Sequence, residues 1–257
     1  MGGLDGKVGI IYGVANHRSI AWAIARAADA EGATLVLAHI ERNERDVKKL
    51  AAQLSRPPML VQCDVQDDAQ IAAVYEVVRA QHERLDFVVH AVAYASREDL
   101  DGRFVDTSRA GFLQALDVSA YSLTAVTRAA LPLMTDGGSV ITLTYLGSER
   151  AMPHYNVMGV AKAALEASVR YLAADLGPDH VRVNAVSAGA IQTLSARAIA
   201  GFSSFLEASA AHSALKRNID AGEVAQAAVF LLSPAASGIT GQVLYVDGGF
   251  GIMGVDV

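Results

Sequence analysis

The sequence predicts an α/β fold: a doubly wound, seven-stranded parallel sheet within a single domain covering residues 1–257. Two observations predict it. Short apolar runs rich in β-branched residues alternate with longer helical patterns from one end to the other, which implies βαβ crossovers and a parallel sheet covered on both faces. The composition is 52% hydrophobic against 19% charged, with no Pro/Gly-rich linker, composition break or internal repeat, so there is apolar material for a core on both sides of one sheet. This is a Rossmann-like plan, and its ligands are expected at the carboxyl ends of the strands.

The first strand, Lys7–Tyr12, runs into Gly13-Val-Ala-Asn-His-Arg-Ser19-Ile20 and then a helix over Ile20–Ala30. A strand–turn–helix joint presents free backbone N–H groups and the positive end of the helix dipole to a phosphate. Only Gly13 stands where a dinucleotide loop usually has three glycines, and Ser19 is either an N-cap or a phosphate contact. The second strand, Thr34–Ala38, leads to Glu41 and Arg42, about twenty residues beyond the loop, where a residue reading the adenosine ribose is expected. Glu41 would repel a 2′-phosphate and Arg42 would welcome one; the balance favours NADH over NADPH. A helix over Arg45–Leu54 follows, then the strand Met59–Cys63 and Asp64, which either caps the next helix or lies near the adenine. Cys63, the single cysteine, sits in the apolar run MLVQC and reads as a buried core thiol in a reducing compartment.

The helix Asp68–His82, the strand Phe87–Ala91, a long helix over Arg109–Leu133 and the strand Ser139–Thr144 continue the rhythm. Next comes Tyr145, then Tyr155 and Lys162 on a helix over Tyr155–Leu176. Seven residues are about two helical turns, so the phenol of Tyr155 and the ammonium of Lys162 share one face roughly 10 Å apart along the axis. The pair reads either as part of an ordinary amphipathic helix or as two groups able to address one bound assembly, a carbonyl oxygen being reduced and a sugar hydroxyl of a cofactor. After the strand Arg182–Val186, an Ala/Ser-rich insert over about 190–217 carries Ile199, Phe202 and Leu206 at helical spacing. It reads either as a surface helical hairpin or as a lid over an apolar substrate. A helix over Gly222–Leu232 and the strand Val243–Val246 close the pattern.

Net charge is −6 with no basic block, which argues against nucleic acid and anionic membrane partners. The seven histidines form no paired-ligand spacing, so no metal is expected. The opening MGGLDGKVGIIYG lacks the plan of a signal peptide, and the expected location is cytoplasmic.

Taken together, Gly13-VANHR-Ser19, Cys63-Asp64-Val65, His90-AVAYA, Tyr145, Tyr155-NVMGVA-Lys162, RVNAVSAG and SGITGQVLYVDGG resemble the short-chain dehydrogenases/reductases, and more narrowly the bacterial NADH-dependent enoyl-acyl carrier protein reductases. General members of the superfamily have Tyr-x3-Lys; here Gly159 stands four after Tyr155, and the x6 spacing with an upstream Tyr is the mark of the enoyl reductase branch. The resemblance implies reduction of the carbon–carbon double bond of trans-2-enoyl thioesters in fatty acid elongation, with NADH as cofactor, enoyl-acyl carrier protein as partner and a homotetrameric assembly. It implies that Gly13, Ser19 and Ile20 hold the pyrophosphate region, Asp64 and Val65 the adenine, and Ala91 the cofactor's flank. Lys162 would bind the nicotinamide ribose, and Ile191 and Thr193 the nicotinamide amide and phosphate. Tyr155 would bond the thioester carbonyl with Tyr145 close by, and Ala93, Tyr94, Ala95, Leu100, Met158, Ala196, Ile199 and Phe202 would line the acyl pocket.

Ala190 and Gln192 stand where that family usually shows Pro and a basic residue, which leaves the start of the lid less restricted. An acidic carrier protein requires a local basic patch, and the candidates near the lid are Arg197, Lys216 and Arg217. The alternatives are a short-chain carbonyl or alcohol oxidoreductase using NAD(P)H, against which the missing Tyr-x3-Lys counts, and a non-catalytic nucleotide-binding protein, against which Tyr155 and Lys162 count.

Overall fold

A computed structural model describes residues 3–193 and 202–254. Seven strands form one all-parallel sheet in the order β3-β2-β1-β4-β5-β6-β7: β1 Val8–Tyr12, β2 Thr34–His39, β3 Met59–Gln62, β4 Phe87–His90, β5 Gly138–Thr144, β6 Val181–Ala188 and β7 Val243–Val246. The chain leaves β1 toward β2 and β3, then returns to the other side of β1 through β4. The order therefore reverses between β1 and β4, where a doubly wound sheet opens a crevice.

Alternate residues of each strand feed opposite cores. Ile10, Val36, Val88, Val140 and Val183 point to one side, against helices α3 (Asp68–Gln81), α6 (Ser122–Ala130) and α7 (Asn156–Leu176). Ile11, Leu37, Val89, Ile141 and Val186 point to the other, against α1 (Ile20–Ala30), α2 (Glu44–Ala51) and the last helix, Ala221–Leu232. Both faces are dry, which is why the strands read as continuous apolar runs rather than alternating ones.

The structure departs from the expected elements in three places that matter for the site. A short helix α4, Arg97–Leu100, follows β4. The expected helix Arg109–Leu133 is broken: α5 (Arg109–Leu116) passes into a π turn, Asp117–Tyr121, before α6, and Leu131–Leu133 closes as a 3₁₀ turn. The wide turn sets the Ser119 hydroxyl against the chain leaving β4, where its Oγ accepts from Tyr94 N at 2.9 Å and donates to Tyr94 O at 3.1 Å. Finally, α7 begins at Asn156, one residue later than expected, and Tyr155 is its N-cap.

Candidate functional site

A cavity of about 1270 Å³ runs along the carboxyl ends of β1 to β6. At its near end the α1 joint follows directly from β1. Gly13 adopts φ +95°, and a Cβ there would lie 2.1 Å from Ala91 O, so the loop can pass this close to the end of β4 only as glycine. Ser19 occupies the N-cap position of α1 but does not cap it; its Oγ donates to Asn16 O at 2.7 Å. Among the described residues no side chain caps the first N–H groups of α1, where Ser19, Ile20 and Ala21 line the cavity, and these groups suit a phosphate. Glu41 and Arg42, in a 3₁₀ turn after β2, are exposed at the cavity edge. Asp64 does not cap α3; that role belongs to Asp67, whose carboxylate accepts from Ala69 N and Gln70 N. Asp64 instead accepts from Gln66 N at 3.0 Å and borders the cavity with Val65. Cys63 is buried, and burial pushes its thiol up to about 12, in keeping with a core residue.

Farther along, Ala91, Ala93, Tyr94, Ala95 and Leu100 line the same cavity from the β4 exit and α4, opposite Ile191 and Thr193 after β6. Tyr145 follows β5 directly and Tyr155 is the N-cap of α7, and their rings meet edge to face at 5.0 Å between centroids. Tyr155 stands between two left-handed residues, His154 (φ 60°) and Asn156 (φ 39°). The Asn156 amide anchors this entry by donating to Leu100 O at 2.9 Å and Gly102 O at 3.3 Å. Burial raises both phenols, Tyr145 to about 12 and Tyr155 further, so both are neutral donors at physiological pH.

Lys162 lies on the same side of α7, buried, with its Nζ donating to Leu143 O at 2.8 Å. Burial pulls its ammonium down to about 8, and Glu166 opposes that shift. One of its three N–H donors is used there, leaving two for a ligand. Gly159, between Tyr155 and Lys162, accounts for the missing x3 spacing: a Cβ at this position would stand 2.6 Å from Gly147 O. Gly147 is equally tight, its Cβ position lying 2.5 Å from the Tyr155 ring. Helix α7 and the turn after β5 therefore pack backbone to backbone, and no lysine fits four residues after Tyr155. Lys162 is three residues farther on, where the helix faces the cavity again.

Every described residue proposed for the site from sequence borders this one cavity; Met158 and Lys162 do so from α7. Ala196 and Ile199 lie outside the described residues, as does Arg197, and of Phe202 only its place at the start of the helix Phe202–His212 is described. Sequence reasoning missed Val118, Met152, His154 and Phe205, which also line the cavity. Val118 gets there through the π turn, and Phe205 from the helix Phe202–His212, packed edge-on against Phe250 at 6.2 Å. The π turn leaves no trace in helical periodicity, whereas Phe205, three residues after Phe202, lies at helical spacing within the insert. Of the basic residues near the insert, Arg217 is paired with Glu223 at 2.7 Å, so its charge is already spent. Among the described residues, no group of three or more His, Cys, Asp or Glu could hold a metal.

Comparison with known proteins gives a consistent picture. The family model described as enoyl-(acyl carrier protein) reductase matches residues 13–251. The chain is 50% identical over 256 residues to the NADH enoyl-acyl-carrier-protein reductase of Nostoc sp., covering 98% of this chain and 99% of that one. It is 49% identical over 249 residues to the NADPH enoyl-acyl-carrier-protein reductase of Staphylococcus aureus (strain MRSA252), covering 96% and 97%. Among solved structures, the Bacillus cereus enoyl-acyl carrier protein reductase with NADP+ and indole naphthyridinone superposes with a TM-score of 0.97 at 49% identity, over 99% of this chain and 100% of that one.

Proposed function

The chain belongs to the enoyl-(acyl carrier protein) reductase family, and from that premise we propose how its own residues carry the reaction. It is an NADH-dependent enoyl-acyl carrier protein reductase of fatty acid biosynthesis. The observation that carries the residue assignment is the placement of Tyr155 and Lys162 on one side of α7, with position 159 closed by Gly147, beside a cavity that continues to the uncapped end of α1. Gly13, Ser19 and Ile20 would hold the pyrophosphate, Asp64 and Val65 the adenine, and Lys162 the ribose next to the nicotinamide, with Ala91, Ile191 and Thr193 along its flank.

NADH, when bound, would supply a hydride to the β-carbon of the enoyl thioester, with the electron pair of the double bond drawn toward the thioester oxygen and a proton from solvent taken up at the α-carbon to complete the reduction. Tyr155, kept neutral by burial, donates its O–H to that oxygen. Because the oxygen gains negative charge as the reaction proceeds, this hydrogen bond is stronger in the transition state than in the ground state, which is what accelerates the step. Lys162 fixes which face of the cofactor meets the substrate, so its contribution is orientation. Tyr145 packs edge-on against the Tyr155 ring and limits its rotation. Ala93, Tyr94, Ala95, Leu100 and Met158, with Ala196, Ile199 and Phe202, would form the acyl pocket.

Mixing the protein with NADH and a crotonyl or longer enoyl thioester should give steady loss of NADH absorbance. Turnover of simple ketones but not of enoyl thioesters would replace this reading with a carbonyl reductase. We propose further that the chain is one reductase domain, with about 190–217 serving as its lid, and that it assembles as a homotetramer. Leu113 of α5 is 61% exposed and Tyr171 of α7 is 81% exposed, which suits helix packing between copies. Light scattering reads the mass directly, and a monomer would exclude that assembly. Among the described residues no helix is long and apolar enough to cross a membrane.

A further inference from the structure

The reaction assigned above leaves a buried charge beside Lys162 without a task. Glu166 lies one turn beyond Lys162 on α7, only 6% exposed, and accepts the Thr144 hydroxyl at 2.5 Å. A carboxylate in a dry interior is costly unless it serves a partner. Its surroundings show what it serves. Lys162 and Glu166 reach two consecutive residues of β5, the ammonium taking Leu143 O and the carboxylate taking the Thr144 hydroxyl. The two charges are thus near each other without Glu166 consuming the N–H donors that a ribose would need. A direct ion pair would have spent them.

We propose that Glu166 is a positioning residue for the reduction, its Thr144-held carboxylate keeping Lys162 an ammonium while leaving the Nζ donors free for the cofactor. The inference rests on the reading that Lys162 grips the ribose. The other groups facing the pair do not do this work. His90, from β4, is buried between Thr142 Oγ1 at 2.9 Å and Ser122 Oγ at 2.8 Å and is held neutral, its pKa pushed down to about 3 by burial and then by Lys162. Tyr155 and Tyr145 are neutral phenols. From β7, Tyr245 donates its hydroxyl to Glu149, and Asp247 accepts the backbone amides of Gly249 and Gly251 at 2.8 Å. The negative charge of Glu166 also disfavours a tyrosinate at Tyr155, so a single carboxylate supports the required state of both groups.

The test is NADH binding by fluorescence across pH 6.5 to 9.5, a range set around ~8. An ammonium at Lys162 is present below about 8 and lost above it, so wild-type affinity should fall as pH rises through that region. Glu166→Gln keeps an acceptor for Thr144 and removes the charge; the falling limb should move to lower pH by about one unit or more. Glu166→Asp withdraws the carboxylate by one methylene and should move it part of the way, which also serves if the amide variant does not fold. A limb that stays in place in whichever variant folds overturns the role of Glu166. Lys162→Met should abolish the limb. If it does while the Glu166 variants leave the limb unmoved, only the Glu166 role falls; if the limb survives in Lys162→Met, the reading of Lys162 falls and the Glu166 role with it.

Discussion

The two ends of the cleft are built on different principles. Around β1, β2 and β3 the groups proposed to bind are backbone amides at the start of α1, and the charged side chains Glu41 and Arg42 are exposed. Around β5 and α7 they are the side chains of Tyr155 and Lys162, packed where burial alters their protonation, with Glu166 buried one turn beyond Lys162. At this first end, proposed for the adenosine, water screens each charge and the geometry of the main chain should decide affinity. At the end proposed for the reaction the medium is dry, so the identity and charge of single atoms should decide rate. A substitution at the first end should act through shape, and at the second through chemistry.

The sharpest way to break this contrast is Tyr155→Phe. It removes one donor without changing shape, so kcat should fall by about 10²–10³-fold, with the Kd for NADH little altered; equal losses in both would assign Tyr155 to cofactor binding instead. Gly13→Ala is the matching test at the other end. A side chain forced into φ +95° and against Ala91 O should cost about 2 kcal/mol of stability and weaken NADH binding while sparing kcat at saturation. Denaturant unfolding and NADH titration read both. The smallest effect belongs to Glu41→Ala: an exposed charge is worth up to about 1 kcal/mol, so preference for NADH over NADPH should relax by about fivefold or less. A collapse of that preference by a hundredfold would mean that the adenosine end is drier than its exposure indicates.

The same contrast governs what was legible in the chain. The order of strands and helices followed from apolar runs of strand length set between helical stretches, because a parallel sheet buried on both faces leaves that trace. The bounds of β7 and α1 agree with the expectation to the residue. Tyr155 and Lys162 were visible because their spacing is local to one helix. The π turn at Asp117–Tyr121 was not, since it is stabilised by Ser119 meeting Tyr94, a residue 25 positions away. Thr144 with Glu166 and Gly147 with Gly159 are likewise pairs that only folding brings together. Arg217 looked like a free cation because Glu223, six residues on, is brought to it by the capping box of the last helix.

The Gly147–Gly159 contact bears on how such an enzyme is able to diverge. Two lysine spacings after the active tyrosine exist within one superfamily, and on paper a pair of point substitutions would convert one into the other. Here that path is closed. A lysine at 159 would drive its first carbon into the main chain of Gly147, and making room would mean lifting α7 off the turn that carries Tyr145. An intermediate that gains a lysine at 159 first would carry a displaced Tyr155, and one that loses Lys162 first would carry no lysine on this face of α7. In this chain the step from one spacing to the other is therefore a backbone rearrangement rather than an exchange of side chains, and laboratory evolution toward a lysine at 159 should first select changes that move the 146–148 turn away from α7.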